Sequence, residues 1–343
     1  MVFSPCVRLS EWRSRVIVAV TLLFLLAPPG VTAATDSDVE AFIEQFAAEH
    51  DFSRARLKRW FAHAKVQPGI IKAMMRPTTA LPWYEFRASH VSAARINSGL
   101  EYWNRYATLI AQAAEASGVP PEMLVATIGI ESFYGRRAGT SNVFNALYTL
   151  AFNYPPRAER FRNELAEFLL LSREMNFDPL EVKGSYAGAL GLPQFLPSSY
   201  RLYAVDLDGD GKRDLWSHAD AIGSIANYYK MHGWQPGELV LSPIEQSTEP
   251  LSEEFKTLVE RGIQLHTTVG AVKRTGATPA VLVDDATKAT VFAVETESGT
   301  RYWLGFNNFY VITRYNRSVN YALAVYELAQ QLRELQRANS AGR

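Results

Sequence analysis

One glutamate stands at the end of an apolar segment, and its spacing indicates an acid that faces the protein interior. Residues 121–135 read PEMLVATIGIESFYG, in which Leu124, Ile128 and Glu131 are spaced i, i+4 and i+7. Residues so spaced share one face of a helix, and Gly135 is expected to end that helix. Burial and the negative end of the helix dipole both raise the pKa of a carboxyl group. Glu131 is therefore a candidate general acid for glycoside cleavage.

The competing interpretation of Glu131 is structural, because the side chain could pair with Arg136 or Arg137 or point into solvent. Position alone favours that interpretation. The segment that follows favours a sugar site, since no Asp or Glu occurs between Glu131 and Glu159. That segment instead offers amide, aromatic and basic side chains, which suit stacking on sugar rings and hydrogen bonds to hydroxyl and acetamido groups. They include Asn142, Asn145, Asn153, Tyr154 and Arg157.

A glycine-rich segment, residues 184–200 with the sequence GSYAGALGLPQFLPSSY, is a second candidate part of a binding site. Its glycines allow the backbone to approach a ligand closely. Gln194 and Phe195 lie between two prolines, which restrict the backbone around them. A tight structural turn is the alternative. A phosphate loop is not expected, because no Gly-Lys-Ser/Thr sequence follows.

Residues 206–217, DLDGDGKRDLWS, form an acidic segment with the spacing of an EF-hand calcium loop and a glycine at its sixth position. The candidate ligands are Asp206, Asp208, Asp210, Asp214 and the backbone carbonyl of Lys212. The twelfth position holds Ser217 where a carboxylate is expected. We therefore predict weak calcium binding, or a site that another group such as Asp220 completes. An acidic turn in water is the alternative.

Composition and the first residues bear on location and partners. The chain of 343 residues has 35 Lys and Arg and 35 Asp and Glu, so its formal net charge is zero and no nucleic-acid partner is expected. Residues 1–33 combine basic residues, an apolar run and small residues before Ala34, which is typical of a signal peptide. We predict export to the periplasm, although an uncleaved signal would leave a membrane-tethered form. Cleavage would also remove Cys6, the only cysteine.

Apolar periodicity predicts helices as far as about residue 237 and strands after it. Helices are predicted over residues 54–63, 92–117 and 319–335, and strands over 281–283, 290–295 and 302–304. Gly118 is expected to end the long helix, and Ser298-Gly299 is a predicted turn. The fold class is therefore α+β, mainly α, with a small β-rich insert before a closing helix.

Several long motifs closely resemble the lytic murein transglycosylase B family, the family-3 soluble lytic transglycosylase type. They are ESFYG at 131–135, NALYTLAFNYPPRAERF at 145–161, KGSYAGALGLPQFLPSSY at 183–200, AVDLDGDGKRDLW at 204–216 and DAIGSIANY at 220–228. With PWYEFR near the start and RYNRSVNYALAV near the end, the resemblance covers residues 81–328. Several ordered motifs are far more specific than one short pattern.

The resemblance implies a fold and its boundaries. The fold would be a lysozyme-like helical core with a helical N-terminal domain and a small β-rich insert. After the signal at 1–33, the implied segments are an N-terminal helical segment at 34–90, the catalytic core at 91–238 with its EF-hand-like loop at 206–217, the β-rich domain at 239–312 and a closing helix at 313–343.

The resemblance also implies a reaction and its residues. Peptidoglycan would be cleaved between N-acetylmuramic acid and N-acetylglucosamine with Glu131 as sole acid/base, forming 1,6-anhydromuramoyl ends. The implied substrate-binding residues are Phe86, Arg157, Ser185, Gln194, Phe195, Tyr228, Tyr315, Asn316 and Tyr321. Phe86 stands where the family pattern has a tyrosine, and Pro156 where it has an arginine, so fine specificity is in question.

The implied partners are peptidoglycan glycan strands and, beyond them, proteins of cell-wall synthesis or degradation. The chemistry requires no cofactor, and calcium would be structural. Two other functions stay open at this point. A hydrolytic muramidase of the same fold would deliver water in place of the muramoyl C6 hydroxyl, and an inactive glycan-binding scaffold would position other wall enzymes.

Overall fold

The structure is a computed structural model that describes residues 36–75, 81–246 and 251–341. The predicted signal at 1–33, with Cys6, lies outside the described residues. Within these ranges, no helix combines the length and apolarity that crossing a membrane requires.

Short amphipathic helices build the N-terminal part of the described chain. They are α1 (Asp36–His50), α2 (Arg54–Ala62), α3 (Pro68–Met74), α4 (Trp83–His90), α5 (Ala93–Arg105) and α6 (Ala107–Ser117). Serine side chains begin two of them, because Ser53 accepts the N–H of Arg56 and Ser92 accepts that of Arg95. The buried face of α1 is Ile43, Phe46 and Ala47.

The single helix predicted over 92–117 is wrong, because the chain bends at Tyr106 and forms α5 and α6. The backbone of Tyr106 leaves the helical region with φ −112° and ψ 25°. Its ring stacks on His218 with the centroids 4.5 Å apart. Neither Gly nor Pro marks this position, so packing against a distant residue places the bend. Gly118 ends α6 with φ 73°, as predicted.

The central helices surround α7 (Pro121–Ser132), whose middle is buried on every face. Around it the chain forms β1 (Ser141–Asn142), α8 (Val143–Asn153), α9 (Ala158–Glu174), β2 (Lys183–Gly184), α10 (Pro197–Tyr203) and α11 (His218–Met231). Residues 123–129 of α7 are all buried, as expected for a helix in the middle of a core.

A second, smaller core lies under an antiparallel sheet near the C-terminus. The elements are β3 (Leu241–Gln246), α12 (Glu253–Glu260), β4 (Thr267–Thr268), α13 (Val269–Arg274), β5 (Ala277–Pro279), β6 (Lys288–Thr296) and β7 (Gly299–Gly305). The strand order is β4-β6-β7-β3-β5. The chain then ends in α14 (Asn307–Tyr315) and α15 (Val319–Ala341). Helix α15 packs against α7 and so returns to the central core.

The sheet corrects one predicted strand. Residues 281–283 are irregular, and the strand of this region is β5, which pairs with β3 through Thr278 opposite Glu245. The side chain of Leu282 is 98% exposed, so its apolar character does not mark a buried strand. The strands predicted over 290–295 and 302–304 lie within β6 and β7, and the turn falls at Glu297 and Ser298.

A two-residue pairing ties the glycine-rich segment to the end of α7. Strands β1 and β2 are antiparallel, with Ser141 opposite Gly184 and Asn142 opposite Lys183. Gly139 approaches Gly184 so closely that a Cβ on Gly139 would lie 2.1 Å from the Gly184 carbonyl oxygen. The segment that begins at Gly184 is therefore held directly against the turn that follows α7.

Candidate active site

Glu131 lies in the last turn of α7, just before the chain reverses. The helix ends at Ser132, and Phe133 and Tyr134 adopt left-handed conformations with φ 50° and 59°. The prediction that Gly135 ends the helix is therefore wrong by two residues, and the cause is the packing of Tyr134. A Cβ on Gly129 of α7 would lie 2.6 Å from the Tyr134 hydroxyl, so the ring occupies space that only glycine leaves open.

One hydrogen bond connects the carboxyl group of Glu131 to α15. The Tyr321 hydroxyl donates to Oε1 of Glu131 at 2.6 Å. Burial raises the pKa of Glu131 to about 8, although the Tyr321 hydrogen bond acts to lower it. No second carboxylate of the described residues contributes to this shift. Glu131 therefore carries a proton at neutral pH, in the state that a general acid needs.

Tyrosine and phenylalanine rings form a continuous row from Glu131. The ring of Tyr321 stacks on Tyr315 at 6.2 Å between centroids, and Tyr315 lies 4.8 Å from Tyr228. The ring centroid of Phe195 lies 5.5 Å from that of Tyr228 and 5.6 Å from that of Tyr315. The hydroxyls of the row bond to backbone, since Tyr315 donates to Pro193 O at 2.6 Å and Tyr228 to Arg314 O at 2.7 Å. These bonds fix the ring positions beside the acid.

The glycine-rich segment contributes two polar side chains that its own backbone holds. Ser185 Oγ accepts the N–H of Ala189 at 2.9 Å, which leaves the hydroxyl proton to donate. Gln194 Nε2 donates to Ala138 O at 3.0 Å and to Gly191 O at 2.7 Å. The backbone of Gln194 is left-handed, with φ 54°. The segment is thus preorganised on the turn that follows α7.

The family described as Transglycosylase SLT domain matches residues 34–330. The chain belongs to this family.

Individual transglycosylases are similar along most of the chain. Membrane-bound lytic murein transglycosylase B of Escherichia coli K12 is 38% identical over 323 residues, which are 90% of this chain and 87% of the relative. The solved structure of soluble lytic transglycosylase SltB1 from Pseudomonas aeruginosa has a TM-score of 0.80 and 44% identity, and the match covers 87% of this chain and 99% of that one.

Two further solved transglycosylases contain ligands. Escherichia coli Slt35, in complex with calcium, has a TM-score of 0.78 and 36% identity, with 89% of this chain and 96% of that one covered. Pseudomonas aeruginosa SltB3, in complex with NAG-anhNAM-pentapeptide, has a TM-score of 0.74 and 28% identity, with 87% and 79% covered. The predicted family, the predicted class of enzyme, a lytic transglycosylase, and the predicted fold class are confirmed.

Three substrate-binding residues predicted for this transglycosylase are not members of the row of rings. Phe86 is 2% exposed and stacks on His90 with the centroids 3.8 Å apart, so it packs in the core. Arg157 is exposed at the end of a short 3-10 turn, and Asn316 is exposed directly after α14. Among the described residues, none of the three forms a hydrogen bond, ion pair or ring contact with Glu131 or Tyr321. Their roles stay predictions.

Sequence reasoning missed one pair in the transglycosylase site, Tyr229 and Thr127. Their hydroxyls lie 2.8 Å apart, and the Tyr229 ring lies 5.8 Å from Tyr315. Burial raises the pKa of Tyr229, and the charge of Glu131 raises it further. The sequence could have indicated Thr127, because this residue stands four positions before Glu131 and shares its helix face.

The acidic loop of the transglycosylase brings two of the predicted ligands together with Asp220, the residue expected from sequence to complete the site. Asp206, Asp208 and Asp220 place oxygen atoms within 4.8 Å of one another. Asp220 is 1% exposed and accepts the N–H groups of Leu207 at 2.9 Å and Asp214 at 2.7 Å. Burial raises the pKa of Asp220.

The carboxylates of Asp210 and Asp214 are not part of this cluster. Asp210 accepts the N–H of Lys212 at 2.8 Å, and Asp214 accepts that of Trp216 at 2.9 Å. Among the described residues, no Lys or Arg pairs with the clustered carboxylates within 4.0 Å. The cluster, with one member buried, offers the oxygen ligands that a divalent cation prefers.

Proposed function

We propose that this transglycosylase cleaves peptidoglycan between N-acetylmuramic acid and N-acetylglucosamine, with Glu131 as its only acid/base, and leaves 1,6-anhydromuramoyl ends. The observation that carries the proposal is the state of Glu131. Its pKa is raised to about 8, Tyr321 bonds one of its oxygens, and no second carboxylate of the described residues affects its titration. A hydrolase of the usual kind needs two carboxylates.

The first step uses the proton of Glu131. Because Tyr321 donates to Oε1, the acid proton belongs on Oε2. Glu131 gives this proton to the glycosidic oxygen as the bond from muramoyl C1 to that oxygen breaks. The carboxylate that results is held by the hydrogen bond from Tyr321, which is stronger to a charged acceptor.

The second step returns the proton. The muramoyl C6 hydroxyl attacks C1, and Glu131 takes its proton, so that the enzyme is restored and no water is consumed. The nucleophile belongs to the same sugar as the reacting carbon, so its effective concentration is high without help from the protein. Ser185 and the row of rings would orient the muramoyl unit for this attack.

The relatives support the same substrate. SltB3 is solved with a glycan fragment that carries a peptide, and the relative from Escherichia coli is named a murein transglycosylase. We also propose that the chain acts in the periplasm, which rests on the sequence of residues 1–33.

Product analysis tests the proposed reaction. Purified sacculi are digested with the protein, and the released muropeptides are identified by mass spectrometry. We expect muramoyl ends that are lighter by one water than reducing ends. Reducing ends in their place would show a hydrolytic muramidase, and no release at all would show a glycan-binding scaffold.

The pH profile of the reaction should have an alkaline limb near pH 8. The catalytic form of Glu131 is protonated, so kcat/KM on sacculi should fall about tenfold for each pH unit above 8. In Tyr321→Phe the interaction that lowers the pKa is lost, so the limb should move to higher pH. Tyr326→Phe, on the same helix and half-buried, is the matched control and should keep the wild-type limb. A limb that stays in place in Tyr321→Phe would contradict the assignment.

We further propose that the acidic cluster binds a structural calcium ion. Asp206, Asp208 and Asp220 would hold it, and calcium would join the loop to the start of α11 without entering the reaction. The geometry of the cluster supports this, and so does the calcium complex of Slt35.

Calcium at millimolar concentration should raise the melting temperature of the protein by several degrees, since a ligand that binds only the folded state stabilises it. Asp208→Asn, at an exposed position, should abolish most of this shift. Asp178→Asn is a matched control, because Asp178 also accepts a loop N–H, that of Leu180 at 2.9 Å, away from the cluster. Equal melting temperatures with calcium and with chelator would rule the site out.

A further inference from the structure

A cavity of about 450 Å³ lies behind the turn that follows α7, outside the group around Glu131. Its walls come from α5, from the turn at residues 134–138 and from the segment between the acidic loop and α11. Neither Glu131 nor any ring of the row from Tyr321 to Tyr228 lines it. Its size is that of a small-molecule site and matches one or two sugar units.

The cavity and the active site share one wall. Ala138 lines the cavity, and its carbonyl oxygen accepts the side chain of Gln194 at 3.0 Å. Leu192, two residues before Gln194, lines the cavity too, and its N–H donates to Leu215 O at 2.8 Å. A ligand in the cavity would therefore lie beside the glycine-rich segment without contacting Glu131 or the row of rings.

Aromatic side chains line part of this cavity. Trp216 is 41% exposed, although it is among the largest apolar side chains. Tyr106 stacks on His218 at 4.5 Å, and Tyr102 Oη lies 3.2 Å from His218 Nδ1, so these three side chains form a fixed polar and aromatic wall. The C–H faces of a pyranose ring stack on surfaces of this kind.

Charged groups also line the cavity, and the positive sign prevails among them. The lining contains Arg105 and Arg136 and a single carboxylate, that of Glu101. Arg136 lies 3.9 Å from Glu101, whose side chain is 76% exposed, so this pair is loose and screened by water. Arg136 also donates to Ser98 Oγ at 3.2 Å. Guanidinium groups bind carboxylates through paired hydrogen bonds.

We propose that this cavity is a second glycan site, which binds a muramoyl-peptide unit of a neighbouring peptidoglycan strand. The sugar ring stacks on Trp216, and the carboxylates of the lactyl group or stem peptide bind Arg105 and Arg136. The inference rests on the proposed function for the identity of the polymer. It adds that the protein binds two strands, one for cleavage and one for anchorage.

Two sites on one polymer would act together. Once one strand is bound, the second site meets its ligand at a high local concentration, so weak single-site binding becomes firm attachment to the sacculus. A short soluble strand can fill only one site at a time and gains nothing. Comparing sacculi with a short soluble strand therefore distinguishes binding in the cavity from binding at the active site.

Binding to purified sacculi tests the proposal, with Glu131→Gln as the parent so that no substrate is consumed. Arg105→Glu and Trp216→Ala are each added to the parent, and the dissociation constant is measured by co-sedimentation. Each should raise it about tenfold. Arg261→Glu and Tyr84→Ala are controls of the same chemistry, since Arg261 is exposed and Tyr84 is 39% exposed, away from the cavity. Both should bind as the parent does.

Kinetics of the active protein complete the test. The ratio of KM on sacculi to KM on a short soluble glycan should rise about tenfold in Arg105→Glu and in Trp216→Ala. Two variants on different elements guard against a local folding defect, which circular dichroism also checks. Parent-like binding and an unaltered ratio in both variants would overturn the second site. Absence of anhydro products from the wild-type protein would instead overturn the proposed function, so the two failures are distinguishable.

Discussion

Glu131→Gln is expected to lower the release of anhydromuropeptides from purified sacculi by a factor of about 10³ or more. Glutamine keeps the size of the side chain and can still accept from Tyr321, but it has no proton to give to the glycosidic oxygen. General acid catalysis contributes about 10²–10⁴-fold, and here the same group serves both steps. The release is measured as initial rates by chromatography of soluble products.

Glu122→Gln is the matched control for this variant. Glu122 lies in the first turn of the same helix, is half-buried and stands 4.0 Å from Arg333. It is distant from the row of rings, so its rate should stay within about twofold of wild type. A fall as large as that of Glu131→Gln would indicate damage to α7 and would remove the support for a specific role of Glu131.

Stability measurements distinguish lost chemistry from lost folding in Glu131→Gln. The folded carboxyl has a pKa of about 8 against an ordinary value of 4.5, so the folded state keeps a proton that the unfolded state releases between these pH values. Wild-type stability therefore falls as pH rises through this window. The glutamine variant has no such dependence. At pH 9 the variant should melt at a higher temperature than wild type. Its free energy of unfolding should be higher by an amount on the order of a few kcal/mol.

Gly139→Ala is expected to lower both stability and activity strongly. The added Cβ would lie 2.1 Å from the Gly184 carbonyl oxygen and 2.5 Å from the Ser185 nitrogen, and both are backbone atoms that cannot rotate away. The pairing of β1 with β2 must open, which displaces Ser185. We expect a loss of roughly 3 kcal/mol in unfolding free energy, at the upper end for overpacking. A displacement of about 1 Å should lower kcat/KM about 10²-fold.

Gly233→Ala separates the clash of Gly139→Ala from its backbone strain. Gly233 has φ 88°, close to the 92° of Gly139, but no atom lies within 4 Å of the position that an added Cβ would take. The left-handed conformation alone costs about 1 kcal/mol, and activity should be retained. Thermal unfolding and rates on sacculi are compared in the two variants. Similar losses in both would show that contact with Gly184 has no special role.

Much of the active site follows from sequence because its motifs are local. The spacing of Leu124, Ile128 and Glu131 identifies a helix face, and Gln194 and Phe195 lie in one short segment with a distinctive pattern of Gly and Pro. Both features depend on residues within a few positions, which helical and turn geometry relate directly. The exposed position of Asn316 and the burial of Phe86 could not be read in this way.

The remaining features depend on contacts between distant residues. The bend at Tyr106 comes from stacking on His218, which lies far along the chain at the start of α11. Asp220 could be named from sequence, but the separation of Asp210 and Asp214 from the carboxylate cluster depends on how the acidic loop folds against the start of α11. Apolar periodicity also predicted a strand at 281–283, where the structure has none. The sequence alone does not distinguish an exposed apolar residue such as Leu282 from a buried one. At such positions tertiary packing determines the local conformation and overrides the intrinsic propensity of the residues.

The burial of α7 on all sides determines how the protein loses activity on heating. Residues 123–129 contact core on every face, and α15, which carries Tyr321, packs against them. The segments that open first in a folded protein are those with few buried contacts, and neither helix is one of them. We therefore expect the acid and its hydrogen-bond donor to come apart only in the global transition, so that inactivation and unfolding coincide in temperature.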